Sequence, residues 1–352
     1  MRSLGPAGWA SHGFFGRGAK TFGNPGGALS GDGYFVNGQS GGPQPGGKIW
    51  TTLTTGFEAS QDQFYRIYYL NNRWLITTTT GTPVNRNTVI VSTDGIHWTQ
   101  HVVQNTSVIR QTPGASFGAG TYIVSRNVNG GAPLVSSSTS LIAWVVNPSS
   151  FSTADQVNDP VFGNGVFLLV SNSTPAYATS PDGLTWTQQT AYVPTQWGQP
   201  VFDGTRFVCP VMGVSNTPKI AVSADGVNWT ESAATLSITD PTVLGFNAST
   251  QYVVGEDSDD HGDSVNGALT VASAVSFNDA NGPSGWIAYG TDWARCTAVN
   301  ASVSSSPGGT SWGTDTLPAA AAFITNMAWN GAEWIAVGFT GAAQNFSMTR
   351  GP

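Results

Sequence analysis

Three short stretches of the chain place a serine, an aspartate, a glycine and a tryptophan at one fixed spacing: STDGIHW, SPDGLTW and SADGVNW. A carboxylate beside a hydroxyl could act as a general acid or base, or could supply oxygen ligands to a metal ion. The same residue types also stabilise a turn, because Asp and Ser side chains accept hydrogen bonds from nearby backbone N–H groups and glycine adopts positive φ. Copies spread along the chain cannot converge on one substrate. We therefore interpret these stretches, called boxes below, as structural turns without a catalytic residue.

Each box ends in a tryptophan that stands six residues after its serine. An aromatic side chain of this size contributes most to stability where it is packed against a neighbouring element, so we expect it to lie between adjacent repeat units. The box positions are Ser92, Asp94, Gly95 and Trp98; Ser180, Asp182, Gly183 and Trp186; Ser223, Asp225, Gly226 and Trp229.

One acidic segment, GEDSDDHGDS, stands out in a chain that otherwise has few charges. Asp257 and Asp259 match the start of an oxygen-rich calcium loop, but Ala268 occupies the position of the bidentate glutamate. Two interpretations stay open: a solvated loop, and a Ca²⁺ site built on Asp257, Asp259 and Asp263. No other cofactor is expected.

The composition limits the classes of partner. Charged residues make up 9% of the 352 residues, and 13 basic against 20 acidic side chains give a net charge of −7. A surface for nucleic acid or an anionic membrane needs clustered Lys and Arg, which do not occur. No apolar run reaches the roughly 18 residues of a membrane span, and the first residues lack a secretory signal. We expect a soluble chain that is made in the cytoplasm.

Cysteine and histidine give no sign of nucleophilic catalysis. Cys209 and Cys296 are too few for a disulfide framework, and we expect both to be free thiols in the core. The four histidines stand in no motif that pairs a base with a nucleophile.

An aromatic anchor recurs about every 44 residues, which is the length of a propeller blade. The anchors are Trp9, Trp50, Trp98, Trp144, Trp186, Trp229, Phe277 and Trp312. Most anchors are preceded by two short apolar runs with a Gly or Asn tip between them, as in PVFGNGVFLLV and PVFDGTRFVCPV. Such tips predict β-hairpins. Each repeat therefore contains two hairpins, the second of which turns at the box.

Four strands in each repeat predict an all-β fold, a single β-propeller over residues 1–352 with four-stranded blades. The last repeat supplies three strands, so an N-terminal segment should close the ring. Eight blades follow if SLGPAGW, at Ser3–Trp9, is that closing strand, and the interval from Trp9 to Trp50 favours this count. Seven blades follow if GGKIWTTL closes the ring instead. In that case the Gly/Pro-rich stretch 10–47 could be an arm that docks on a partner.

The boxes resemble the Asp-box, or BNR, repeats of sialidase-like propellers, in a version with one residue fewer between Asp and Trp. The resemblance implies a propeller fold, which is used by enzymes, lectins, assembly factors and phage structural proteins. Sialidase chemistry would require an arginine cluster, a Tyr nucleophile paired with Glu, and an acid. Only FYRIYY, around Arg66, is similar to the arginine-containing first-strand motif. We therefore expect no enzymatic activity.

The resemblance extends to propeller modules of bacteriophage virion proteins, through the boxes and the Gly/Pro-rich N-terminal stretch. The favoured hypothesis is a non-catalytic structural or host-recognition component of a phage particle, in the tail, a fibre or attached to the capsid. Its location would be the virion, and its partners other virion proteins or a host surface protein or glycan, with homo-oligomerisation also open. The alternatives are a free carbohydrate-binding lectin and a sialidase-like glycoside hydrolase.

Overall fold

A computed structural model describes residues 48–351, apart from the short stretches 60–61, 81–85, 106–108, 129–130, 153–155, 172, 240, 248–250, 257–260, 278–284, 298–300 and 341–343. Within these residues all regular secondary structure consists of β-strands. The strands form seven antiparallel sheets, numbered here as blades 1 to 7 along the chain. The all-β propeller prediction is confirmed.

The first three blades follow one another without interruption. The strands of blade 1 are β2 (Asp62–Leu70), β3 (Arg73–Thr80), β4 (Arg86–Ser92) and β5 (Trp98–Asn105). Those of blade 2 are β6 (Ile109–Gly118), β7 (Thr121–Val128), β8 (Gly131–Ser138) and β9 (Val145–Pro148). Those of blade 3 are β10 (Val161–Gly163), β11 (Val166–Val170), β12 (Tyr177–Ser180) and β13 (Thr187–Gln189).

The remaining blades repeat the pattern, with one additional strand in blade 4. Blade 4 contains β14 (Gln196–Trp197), β15 (Val201–Phe202), β16 (Phe207–Met212), β17 (Pro218–Ser223) and β18 (Thr230–Glu231). Blade 5 contains β19 (Pro241–Phe246), β20 (Tyr252–Glu256), β21 (His261–Val265) and β22 (Val271–Ser276). Blade 6 contains β23 (Gly285–Tyr289), β24 (Trp293–Thr297), β25 (Ser302–Ser306) and β26 (Gly313–Thr314). Blade 7 contains β27 (Phe323–Trp329), β28 (Trp334–Phe339), β29 (Asn345–Arg350) and β1 (Thr51–Leu53).

Contacts between adjacent blades close the sheets into a ring. They run from β2 to β6, β6 to β10, β10 to β15, β16 to β19, β19 to β23, β23 to β27, and from β27 back to β2. A four-stranded sheet is too small to bury both faces alone, so each blade depends on its two neighbours for a core.

The ring is closed by the segment after Trp50, which corrects the preferred blade count. β1 pairs antiparallel with β29, with Thr51 opposite Thr349. This is the edge of β29 that faces away from β28, and Thr51–Leu53 occupies it as the outer strand of blade 7. The eight-blade prediction is wrong and the seven-blade alternative is confirmed. Residues 1–47, including the stretch 10–47, lie outside the described residues.

An aromatic pair packs in a tilted or edge-on arrangement across the first hairpin of six blades, beside the predicted tips. At the tip of blade 3, Asn164 and Gly165 have φ of 47° and 82°, the left-handed conformation that a tight hairpin requires. Ring centroids of the paired aromatics lie 4.5–5.4 Å apart. The pairs are Tyr69–Trp74, Phe117–Tyr122, Phe162–Phe167, Phe202–Phe207, Tyr289–Trp293 and Trp329–Trp334.

One predicted anchor has a different place in its blade. Phe277 follows β22 and packs against Trp312 of blade 6, with ring centroids 5.0 Å apart. The equivalent of a box tryptophan in blade 5 is Val271, which pairs with Val265 as Trp98 pairs with Ser92 in blade 1. Because the position holds an aliphatic residue, a search for aromatic anchors misses it.

Candidate functional site

The aspartate of each box is bonded within its own turn. Asp94 Oδ1 accepts hydrogen bonds from the backbone N–H groups of Ile96 and His97 at 2.9 and 2.8 Å, and from the Ser92 hydroxyl at 3.0 Å. Asp182 and Asp225 accept the equivalent three bonds. At Asp94 the hydrogen bond with the His97 side chain, at 2.7 Å, contributes most to a lowered pKa, and the turn bonds add to it. Turn bonds also lower the pKa of Asp182, and at Asp225 the hydrogen bonds together outweigh the opposing effect of burial and lower the pKa to about 2. Among the described residues, one further acidic side chain approaches a box turn: Glu333 of the preceding blade, whose Oε1 would lie 3.1 Å from a Cβ atom on Gly95.

Each box glycine lies against the preceding blade. Gly95, Gly183 and Gly226 share a φ of 74°. A Cβ atom on Gly183 would lie 2.7 Å from the Ile123 side chain of blade 2, so only glycine fits this contact. The indole Nε1 of Trp98 donates to the carbonyl of Gly95 at 3.1 Å, which holds the ring over the turn.

Blade 2 contains a box that the sequence motif does not show. Ser138 Oγ accepts a hydrogen bond from Leu141 N at 2.9 Å, and Trp144 Nε1 donates to the Leu141 carbonyl at 3.1 Å. Leu141 has φ of 67°, in the place of the box glycine, and Ser140 takes the place of the aspartate. This turn therefore has the box geometry without a carboxylate. The spacing from Ser138 to Trp144 was the available signal, but neither Asp nor Gly marks it.

The acidic segment places only part of the predicted calcium site within the described residues. Asp263 lies in β21, is fully buried, and accepts a hydrogen bond from the backbone N–H of Ser237 at 2.6 Å. Its other oxygen accepts from the Ser237 hydroxyl. Asp257 and Asp259 lie outside the described residues, and the described residues contain no group of three potential metal ligands. The Ca²⁺ site stays a prediction, and both carboxylate oxygens of Asp263 accept hydrogen bonds from Ser237.

Arg66, the residue of the first-strand motif, is paired with a carboxylate. Its guanidinium forms an ion pair with Asp159 of the segment leading into blade 3, and Tyr68 donates its hydroxyl to Asp159 at 2.6 Å. The pair crosses Gly114 of blade 2, where a Cβ atom would lie 2.2 Å from Asp159 Oδ1. Burial raises the pKa of Asp159, and Arg66 counteracts that rise. Gln199 of blade 4 extends the network by accepting from Asp159 N at 3.0 Å.

A second buried network lies where the ring closes. Asp315 accepts hydrogen bonds from Trp50 Nε1 at 2.9 Å and from the hydroxyl of Ser305 at 2.6 Å. Arg350 donates to Asp315 at 3.0 Å and to Asp292 at 2.6 Å. Burial raises the pKa of Asp292, and Arg350 opposes the rise. The network joins blade 6 to both strands at the closure of blade 7.

The exposed apolar residues follow the repeat. The residue after the box glycine is exposed in blades 1 and 3, at Ile96 and Leu184, and so is Ile142 in blade 2. Blade 2 adds two adjacent valines on its outer strand, Val145 at 61% and Val146 at 38% exposure. The sequence 127–154 around them has no charged residue. We call the surface of Ile142, Trp144, Val145 and Val146 the blade 2 edge.

Comparisons with known proteins agree on the fold. No protein-family model and no curated protein matches the sequence. Solved propeller structures do match at low sequence identity. Virginiamycin B lyase from Staphylococcus aureus has 9% identity and a TM-score of 0.65, with 87% of this chain and 99% of that chain covered. YCF48 bound to D1 peptide has 13% identity and a TM-score of 0.59, with 90% and 100% covered.

A third match is the WD40 β-propeller domain of Doa1, at 11% identity and a TM-score of 0.57, with 86% of this chain and 96% of that chain covered. At such identities the likeness establishes a propeller fold and does not carry catalytic residues over. Among the described residues, no helix is long and apolar enough to cross a membrane.

Proposed function

We propose that this chain is a non-catalytic propeller that binds a protein partner through the blade 2 edge. The observation that carries the proposal is the pair of adjacent exposed valines, Val145 and Val146, on an outer strand. An outer strand leaves alternate N–H and C=O groups unpaired, and proteins normally protect such edges with charged residues or bulges. An exposed apolar edge without charges is a favourable surface for association.

Among the described outer strands, β9 alone exposes two large apolar side chains, whereas β5 exposes only Val102, at 43%, and β22, which reads VASAVS, exposes none. The described outer strands β13 and β18 read TQQ and TE, and β1 reads TTL. Blade 2 also lacks a carboxylate in its box, since Ser140 stands at the aspartate position. Charge is therefore absent from both the turn and the strand, and an apolar partner surface can cover them without leaving a buried carboxylate unpaired.

A non-catalytic role is supported by the bonding of the acidic and basic groups. The box aspartates bond their own turns, and Arg66 pairs with Asp159 across three blades. Arg350 bonds Asp292 and Asp315 in the same way at the closure. A catalytic acid or a substrate-binding arginine needs a free hydrogen-bonding position facing the substrate, and these groups are used within the fold.

We further propose that the partner belongs to a bacteriophage particle, of which this chain would be a structural or host-recognition component. Support comes from the resemblance of the boxes to phage propeller modules and from the Gly/Pro-rich stretch 10–47. The YCF48 structure is described as bound to a peptide, so a propeller of similar fold can hold a polypeptide partner.

Sedimentation tests this proposal. In lysates of cells that produce the particle, the tagged chain should sediment with capsid or tail proteins through a density gradient. The double variant Val145→Lys, Val146→Lys should leave the particle fraction, because two charges would be buried unpaired at the interface. The control is Phe323→Lys, an exposed apolar residue of blade 7, which should sediment as wild type. A wild-type chain that stays at the top of the gradient would contradict the particle assignment.

Enzymatic activity has a separate test. Purified chain should show no turnover of aryl sialosides or other aryl glycosides above the buffer rate. Turnover that is lost in Arg66→Ala, but retained in Arg73→Ala, would overturn the non-catalytic assignment.

A further inference from the structure

The segment between blades 3 and 4 runs along the edge of blade 4. Thr195 N donates to the carbonyl of Met212 at 2.7 Å, and β14 pairs with the end of β16. This pairing brings Tyr192 and Val193 beside the hairpin turn that follows β16. Tyr192 is half-buried, whereas Val193 and Val214 are 52% and 64% exposed.

Glu231 lies in this surface, and only one of its two carboxylate oxygens accepts hydrogen bonds from the described residues. Its Oε1 accepts hydrogen bonds from the Tyr192 hydroxyl at 2.8 Å and from the backbone N–H of Val214 at 2.9 Å. No hydrogen bond or ion pair of the described residues involves Oε2. Gly213 permits the close approach, because a Cβ atom there would lie 2.6 Å from Oε1 and 2.9 Å from Oε2.

Tyr192, which donates to this carboxylate, packs against two tryptophan rings. The rings of Tyr192 and Trp229 lie nearly parallel, at 27°, with centroids 6.3 Å apart. Trp197 packs edge-on against both, at 5.4 and 5.0 Å. Trp229 is half-buried, like Tyr192 and Glu231. We call Tyr192, Trp197, Trp229 and Glu231 the aromatic site.

The charge of Glu231 has no cationic partner among the described residues. Lys219, on the neighbouring strand β17, donates its Nζ to the carbonyls of Ser232 at 2.9 Å and Ala233 at 3.4 Å instead. A carboxylate beside aromatic faces is suited to a cation, since the ring faces carry partial negative charge and the carboxylate accepts a charge-assisted hydrogen bond.

We propose that the aromatic site binds one arginine side chain of the partner protein. A planar guanidinium can lie against the face of Tyr192 or Trp229 and donate an N–H to Glu231 Oε2, while Val193 and Val214 cover its methylene groups. The net charge of −7 also favours a basic partner surface. This inference rests on the proposed binding function and names the side chain that a second surface, apart from the blade 2 edge, would recognise.

Titration with N-acetyl-arginine amide tests the site directly, with the tryptophans labelled with ¹⁵N and the indole signal of Trp229 assigned from Trp229→Phe. We expect a saturable shift of that signal, with N-acetyl-lysine amide binding more weakly. Glu231→Gln should weaken binding about tenfold or more, the usual effect of losing a hydrogen bond to a charged group. Glu333→Gln, which alters a half-buried glutamate of blade 7, should bind as wild type.

No saturable shift, or an equal shift in Glu231→Gln, would overturn the inference. The remaining indole signals report whether each variant is folded. If a variant of Glu231 loses its fold, Tyr192→Leu serves instead and should weaken binding by removing one ring face. The outcome is independent of the particle test: a chain that sediments with particles but ignores arginine contradicts this site alone, and the Val145→Lys, Val146→Lys variant should titrate as wild type.

Discussion

Arg350, on the last strand of blade 7, donates to Asp315 of blade 6 at a distance of 3.0 Å, and both side chains are almost completely buried. Trp50, next to the closing strand, donates to the same carboxylate. In blades 1, 2, 3, 4 and 6 a box turn connects the third and fourth strands. At the closure β29 and β1 come from distant parts of the sequence, and Asp315 of blade 6 links them by accepting hydrogen bonds from Arg350 at the end of β29 and from Trp50 beside β1.

Removal of Arg350 should therefore weaken the closure of the ring. Arg350→Ala removes the cation that is hydrogen-bonded to the buried carboxylates of Asp315 and Asp292, and loss of one partner of such a pair costs about 3–5 kcal/mol. Urea denaturation, followed by tryptophan fluorescence, should show this loss in the free energy of unfolding. Arg73→Ala, at an exposed arginine beside the tip of blade 1, is the control and should remain within about 0.5 kcal/mol of wild type. Equal stabilities for the two variants would contradict a closing role.

Gly114 should tolerate no side chain. In Gly114→Ala the new methyl group would overlap the Asp159 carboxylate and push it away from Arg66 and Tyr68. We expect a loss of about 1–3 kcal/mol, the usual cost of overpacking, and more if the ion pair breaks. Gly308→Ala is the matched control, because the added methyl group there meets only Thr310 Oγ1 at 3.9 Å. Thermal denaturation of the two variants compares the effects, and a similar change in Tm would count against the contact.

The repeat could be predicted from the sequence because turn residues recur at a regular interval along the chain. The Asn164–Gly165 tip and the glycines at 95, 183 and 226 need left-handed backbone, which few other residues supply. The blade 2 box escaped detection because Leu141 adopts the same φ with a side chain that is buried. Sequence gives no sign of such a residue, since its strain is offset by packing that only the fold reveals.

Contacts between side chains that are far apart in the sequence could not be predicted, for a different reason. Arg66 and Asp159 belong to blades 1 and 3, and they meet only because Gly114 of the blade between leaves room. The aromatic site is similar, because Tyr192 stands in a connecting segment whose course depends on β14 pairing with β16. The preferred blade count was wrong because the interval from Trp9 to Trp50 matches the repeat length, whereas the strand that pairs with β29 is Thr51–Leu53.

Lowering the pH should reduce the contribution of the box carboxylates to the free energy of unfolding. The folded-state pKa of the box carboxyls lies below the unfolded value, near 3.9. Such groups contribute stability that is fully present above the unfolded value and is lost as the pH falls through the folded value, which is about 2 for Asp225. Buried Asp159 and Asp292 act in the opposite direction, because their raised pKa means that ionisation is less favourable in the folded chain than in the unfolded one.

The triple variant Asp94→Asn, Asp182→Asn, Asp225→Asn isolates the box contribution to this pH dependence. It should be less stable than wild type in urea at pH 6, and the difference should shrink as the pH is lowered from about 5 to about 2. Wild type and variant share Asp159 and Asp292, so those groups cancel in the comparison. A difference that stays constant over this range would show that the box carboxylates contribute no charge-dependent stability.

A carboxylate introduced at the aspartate position of the blade 2 box should raise the free energy of unfolding and weaken binding of the partner. In Ser140→Asp, the new side chain can accept hydrogen bonds from Ile142 N and from the next backbone N–H, as Asp94 does in blade 1. The present Ser140 hydroxyl accepts only from Ile142 N, at 3.3 Å. We expect a gain of about 0.5–1.5 kcal/mol in the free energy of unfolding, the net value of a hydrogen bond. Binding at the blade 2 edge should weaken, because a carboxylate would be buried by the partner.

Blade 6 provides the matched control for that substitution. Gly308 holds the aspartate position of its box, in which Ser306 Oγ accepts from Gly309 N at 2.9 Å and Trp312 Nε1 donates to the Gly309 carbonyl at 3.2 Å. Gly308→Asp should stabilise the chain as Ser140→Asp does, but it should leave sedimentation with the particle unchanged, because blade 6 lies away from the blade 2 edge. If both variants bind as wild type while both gain stability, the loss of charge in blade 2 has no role in recognition and the partner docks elsewhere on the ring.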